Sequence, residues 1–266
     1  MDNIEKKRLT GKQITLIIIG VFLVIFLAYF SIMASLAPGK KLKEIRTKFG
    51  LQTTSGNTLD ERLYSDSAYI GMLKEKAFLQ ARISMAETDS IYMTLNFADS
   101  TANLEISGVE VHSAKISDVK ISRILRSGNE YAISAMFSSP MNIVSDFASI
   151  KKEPLMIKMA PKDTSEFKPD IIPDTSEYEP VNYILEMDNG IRIFVYQEID
   201  TIASDKNQLF FFDLNDRLKN TWSSLKSCAC LKVPEYHPFI KMRLRKADAK
   251  ILYRAVPRNG QIAVYM

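Results

Sequence analysis

Histidine and cysteine are scarce in this chain: His112 and His237, Cys228 and Cys230 are the whole supply in 266 residues. Two histidines far apart and a Cys-x-Cys pair do not make a zinc-ligand cluster, and the pair is too closely spaced for a usual structural disulfide. The thiols read as two groups in or near a packed segment. A glycine-rich phosphate loop, an HExxH helix and a nucleophile elbow are all missing, so no cofactor is expected. Charge of one sign is missing too. The net charge is only +4, and much of the basic excess sits beside one apolar segment, which argues against a nucleic-acid partner. With 46% hydrophobic and 25% charged residues, the chain has the composition of a folded protein.

What is present begins with a long apolar run. Residues 14–36 carry no charge and are rich in Ile, Leu, Val and Phe. About 20 such residues span a hydrocarbon core, so a transmembrane helix is expected there. A cleaved signal peptide is the alternative, because Ser35-Leu36-Ala37 resembles a cleavage site. Against it stand the length of the run and the proline at 38, a poor start for a mature chain. Lysines and arginines flank the run on both sides, so the positive-inside rule does not orient it. A short tail before the run and a large body after it fit a signal anchor, with residues 1–13 in the cytoplasm.

After the membrane, residues 37–87 are expected to form a juxtamembrane loop and a stalk helix. Thr58 and Glu61 make a capping box. Leu59, Leu63, Ile70, Ala77, Ala81 and Met85 recur at helical intervals, favouring packing within the chain over a coiled coil. Residues 88–266 read as one strand-rich domain. Residues 91–97 and 102–106 alternate as a hairpin that Gly108 ends. Short apolar runs at 119–125, 131–137 and 155–159 predict further strands. Residues 161–181 are acidic and proline-rich, with Asp163-Thr164-Ser165-Glu166 recurring as Asp174-Thr175-Ser176-Glu177, and read as an exposed connector. Asn189-Gly190 is a hairpin signal between strands at 183–186 and 191–196. Residues 205–226 predict a helix whose Phe211, Leu214, Leu218, Trp222 and Leu225 share one side, read as core. Asp213 and Asp216, beside Arg217 and Lys219, read as its solvated face. Ile240, Met242 and Leu244 alternate with Lys241, Arg243 and Arg245, a strand with an apolar and a cationic face.

The stretch from Tyr236 to Tyr265 resembles the end of the L,D-transpeptidase (YkuD) catalytic domain. Asp248, Ala249, Leu252, Tyr253, Val256, Pro257 and Gly260 resemble its Asp-Ala-x-x-Leu-Tyr helix and Val-Pro-x-Gly turn, with one more residue before the glycine here. The family's Ser-His-Gly-Cys-apolar-Arg segment precedes that helix. Here Tyr236, Pro238, Phe239 and Lys241 stand where Ser, Gly, Cys and Arg are expected, and only His237 is kept. The resemblance implies an α+β fold, mostly antiparallel β in a YkuD-like β-sandwich with two or three helices, behind the membrane helix.

Those enzymes attack peptidoglycan stem peptides through a cysteine thiolate, which needs a lowered pKa or an adjacent base. Phe239 offers no nucleophilic atom. The resemblance therefore implies a pseudoenzyme in the bacterial inner membrane with its domain in the periplasm, binding peptidoglycan or scaffolding and regulating a cell-wall enzyme. One alternative is an active transpeptidase or carboxypeptidase using Cys228 or Cys230 as a relocated nucleophile. Another is a structural subunit of a cell-envelope complex. Lys241, Arg243 and Arg245 form the candidate ligand-binding set, because guanidinium and ammonium groups pair with carboxylates.

Overall fold

A computed structural model describes residues 11–50, 66–152, 179–198 and 203–266. The chain divides into two compact units. Residues 1–41 and 216–236 form one; residues 42–215 and 237–266 form the other.

The first unit is helical. Helix α1, Gly11–Phe49, contains the apolar run and continues through Pro38 into the basic segment. It is long and apolar enough to cross a membrane. The basic segment after the apolar run is helical as far as Phe49, and the loop expected around residues 50–57 lies, but for Gly50, outside the described residues. Proline lacks an N–H, but a single one is tolerated when neighbouring packing satisfies the freed carbonyl. Against α1 runs the second half of α5, Ala203–Ala229, where the Tyr29 hydroxyl donates to the Cys228 carbonyl at 3.4 Å.

The second unit is built on a closed barrel of eight strands in the order β1-β2-β3-β7-β6-β5-β4-β8. Their spans are β1 Tyr92–Asn96, β2 Thr101–Ile106, β3 Val109–Ile121, β4 Met141–Ala148, β5 Asn182–Met187, β6 Arg192–Gln197, β7 Phe239–Leu244 and β8 Gln261–Tyr265. The expected β-sandwich is thus a barrel, and two of its pairings, β1 with β8 and β6 with β7, are parallel. Closure comes from β8, which pairs with β1 along four residues and with β4 through Met141 and Asn142. Alternation of side chains cannot reveal closure, because it shows which residues face inward but not which strand edges meet. Register shifts at Leu104/Glu105, Ile116/Asp118 and Ile143/Ser145 supply the local bends a small barrel needs.

Inward-facing rows from the paired strands fill the interior. Met93 lies opposite Leu104 and Ile262, Leu95 opposite Ala102 and Val264, and Ile193 and Val195 opposite Ile240 and Met242. All ten are buried. Several strands are buried on their outer side as well, which a hydrophobic alternation does not anticipate. On β1, Tyr92 and Thr94 face outward yet are covered. Helix α2, Ser67–Ala86, lies over them, with Ala81 and Met85 packed on Tyr92 and Ala263. Its buried face is Ile70, Ala77, Ala81 and Met85, as the helical spacing predicts, and it packs within the chain. The cap is Asp66, whose carboxylate accepts from the Ala68 N–H. The expected capping box at Thr58 and Glu61, with Leu59 and Leu63, lies outside the described residues.

One predicted strand is a helix, and another is strand only in its first part. Residues 119–125 divide between the end of β3 and α3, Arg123–Ser127. Residues 131–137 fall in α4, Glu130–Phe137, where the Asn129 side chain accepts from the Ala132 N–H. That cap starts a helix in a segment too short for its period to be distinctive. The strand expected at 155–159 and most of the connector at 161–181 fall outside the described residues. The 191–196 hairpin forms as expected, with Gly190 at φ 80, a left-handed turn position that glycine occupies without steric cost.

Helix α5 reverses the expected polarity. Phe211, Leu214, Leu218 and Trp222 are exposed, whereas Asp216 is buried and Asp213 is half-buried. Its covered side carries Leu209, Phe212 and Leu225 together with Asp213 and Asp216, whose groups find hydrogen-bond partners. Of the stripe read as core, Leu225 is half-buried and Phe211, Leu214, Leu218 and Trp222 are on the surface.

Candidate functional site

The matching positions lie where β7 enters the barrel. The Pro238 carbonyl accepts from the Arg192 N–H at 2.9 Å, and the Phe239 carbonyl accepts from the Ser122 N–H at 2.9 Å. Pro238 is buried, and its missing N–H costs nothing because only its carbonyl is used in this join. His237 is exposed, with Nδ1 3.2 Å from the Gly190 carbonyl. A neutral ring carrying its proton on Nδ1 donates there. Its contact is with the hairpin, and not with a thiol. Tyr236 is half-buried, and burial raises its phenol above the ordinary range.

The Phe239 ring packs edge-on to Phe194, with centroids 6.4 Å apart at 85°. Around these rings gather Ile184, Tyr196, Leu209 and Phe212. The last two come from the first turns of α5, and Phe212 stacks on Phe147 at 5.0 Å. The outer face of β5, β6 and β7 is therefore roofed by helix and filled by aromatic side chains. Cys228 is buried and Cys230 exposed, both as free thiols, and both belong to the helical unit.

Lys241 sits among the same rings. Its ammonium lies 4.5 Å from the Phe194 centroid, 5.4 Å from Tyr196 and 5.7 Å from Phe239. It donates to the Tyr196 hydroxyl at 3.1 Å, and that hydroxyl donates to Asp213 at 2.7 Å. Lys241 Nζ is also 4.0 Å from the second Asp213 oxygen. The result is a cation held by aromatic faces, a phenol and a carboxylate. Tyr196, Phe194 and Asp213 went unnoticed as members of this cluster. Nothing in the sequence links residues 194, 196, 213 and 241 before the chain brings three elements together.

The other two members of the cationic set are elsewhere engaged. Arg243 Nε is 3.7 Å from Asp118, and Arg245 Nε is 3.2 Å from Asp248. Asp248, at the start of α6 (Lys246–Ala255), also lies 3.3 Å from His112 Nε2. Lys241, Arg243 and Arg245 thus each face a carboxylate of this chain. A small cavity of about 40 Å³ lies between α2, α3, α4 and the end of β8, rimmed by a 3.5 Å Lys74–Glu130 pair. It has room for a water or two and not for a peptide. Among the described residues no group of histidine, cysteine and carboxylate side chains could hold a metal ion.

Comparison with known protein families, with curated proteins and with solved structures finds no match to this chain.

Proposed function

We propose that this chain is a membrane-anchored, non-enzymatic platform of the cell envelope, whose barrel scaffolds or regulates a cell-wall enzyme outside the cytoplasm. One observation carries the reading: the Phe239 ring, which stands where the resemblance expects cysteine, packs on Phe194 beneath α5. A thiol attacks an amide only with a base beside it and space for the substrate carbonyl. Phe239 offers no nucleophilic atom, and Phe194, Leu209 and Phe212 pack around it. Retention of a peptidoglycan strand is less favoured than protein scaffolding, because Lys241, Arg243 and Arg245 already face Asp213, Asp118 and Asp248. An incoming stem-peptide carboxylate would have to displace them, and exposed pairs exchanged for one another gain little.

Full-length protein in detergent, incubated with muropeptides, tests the reading. The expected result is neither L,D-crosslinks nor released D-Ala, and no acylation by a carbapenem. Turnover, or a carbapenem adduct mapped to Cys228 or Cys230, would overturn it in favour of a relocated nucleophile. Retention on purified sacculi without any protein partner would replace scaffolding by strand binding.

A further inference from the structure

The second half of α5 turns its polar side inward and its apolar side outward. Asp216, Asn220, Ser224, Ser227 and Cys228 are buried or half-buried, and Asp216 accepts from the Asn220 amide at 3.0 Å. Leu218 and Trp222 are 61% and 72% exposed, and Leu231, just beyond the helix, is 78% exposed. In a water-facing helix the arrangement is the reverse. An apolar medium outside this face removes the contradiction.

The position of the helix beside α1 identifies that medium. Tyr29 contacts Cys228, and the covered stripe of α1 runs from Tyr29 through Met33 and Ala37 to Lys41. The covered stripe of α5 runs from Cys228 back to Asp216. Along these stripes Tyr29 is half-buried while Lys41, Cys228 and Asp216 are buried, an arrangement that antiparallel neighbours give, and on α1 burial continues to Ile45. Trp222 is six residues before Cys228, and so lies level with Ser35, six residues after Tyr29. Ser35 is one residue short of the end of the apolar run. Cys228 itself lies about 10 Å deeper, at 1.5 Å per residue. Tryptophan at that depth, with Arg217 and Lys219 above it, is the mark of a membrane–water boundary.

The exposed charges agree. Between residues 216 and 236 they are Arg217, Lys219, Lys226, Lys232 and Glu235, four cations to one acid, while Asp216 is buried. Lys226 lies level with Ser31, and its stem of about 6 Å lets the ammonium reach the headgroups. An apolar stripe with lysine and arginine along its margins is the pattern of a helix seated among anionic lipids.

We propose that the end of α5, with Leu218, Trp222 and Leu231, is a second membrane contact, embedded in the leaflet at the C-terminal end of the α1 apolar run. The single membrane helix then becomes half of a helical wedge, and the barrel is attached to the bilayer by two elements.

Trp222 is the only tryptophan, so the native full-length chain reports on itself. It is reconstituted in vesicles of phosphatidylglycerol and phosphatidylcholine carrying bromine at defined acyl-chain depths. The proposal expects blue-shifted emission, strong quenching by bromines near the headgroup end of the chain, and weak quenching by aqueous iodide. Emission quenched by iodide and indifferent to bromolipid would place the face in water and overturn the proposal. Emission protected from both would mean that protein, a second copy or another chain, covers the stripe, and would overturn it equally. None of these outcomes depends on whether the barrel has a catalytic activity.

Discussion

Glu105 shows how a single buried charge can tie a helix to the barrel. Its side chain is 1% exposed on the outer face of β2, where it accepts from Arg82 Nε and from the Thr94 hydroxyl, each at 2.7 Å. Arg82 belongs to α2, so the pair holds that helix on β1 and β2. Replacing Arg82 by alanine leaves the carboxylate buried without its cation. Such deletions cost about 3 kcal/mol, and thermal unfolding should show a clear loss of Tm. Arg82→Lys should recover part of it, because a lysine restores the charge but not the direction of the guanidinium N–H. Phe239 calls for a different experiment. Phe239→Cys returns sulfur to the family's position, but the roof formed by Leu209, Phe212 and Phe194 remains. The expectation is a less stable protein, by about 2–3 kcal/mol for the space vacated in a half-buried site, that still takes no carbapenem label. Acylation of that cysteine would show that the groove opens to substrates.

At the level of elements, legibility depended on whether a period ran long enough to be distinctive. Helix α2 was readable because Ile70, Ala77, Ala81 and Met85 cover four turns on one side, and all four are buried. Strand β7 was readable because Ile240, Met242 and Leu244 alternate with longer basic residues. The helix at 246–255 and the turn into β8 were readable from the Asp-Ala-x-x-Leu-Tyr and Pro-x-x-Gly signals. Helix α4 was not: its eight residues contain only Ile133 as a β-branched position, and the decisive signal was the Asn129 cap. Asn129→Ala should therefore cost about 1 kcal/mol, measured by denaturant unfolding, with little change in the slope of the transition. The site cluster was half legible. Tyr236 to Lys241 could be located by their spacing from Asp248, but the groups that close over them, Tyr196 and Asp213, come from β6 and α5. Asp213 was read as solvated because the helical spacing places it beside Arg217. In the fold, α5 turns that side toward β6, and a tyrosine hydroxyl meets it at 2.7 Å.

Closing a sheet into a barrel and then covering its outer face places phenols where their ionised forms have no solvent. Tyr92 lies between β1 and α2, its pKa raised chiefly by burial, with its hydroxyl accepting from the Gly108 N–H at 2.9 Å. Tyr183 is wholly buried, and desolvation followed by repulsion from Tyr253 raises it strongly. Tyr253 is raised by desolvation first and then by its hydrogen bond to Asp146, at 2.7 Å. The Tyr183 and Tyr253 rings also lie 4.9 Å apart, tilted at 37°, so neither can ionise without disturbing the other. In the unfolded chain all three titrate near the ordinary tyrosine value of about 10. Below that pH both states hold the protons, and the contribution to stability is complete. As pH rises past it, the unfolded chain loses protons that the folded barrel keeps, so the unfolded state binds fewer and stability falls with pH. The barrel should therefore resist mild alkali and unfold cooperatively as pH climbs above about 10, with phenolate absorbance appearing together with loss of the barrel's circular dichroism. Tyr183→Phe removes one of the three linked protons without changing the ring, and should move the alkaline transition to higher pH. A phenolate signal that rises well before the circular dichroism changes would mean that these rings meet solvent in the folded protein, and that the closed, covered barrel is not its state in solution.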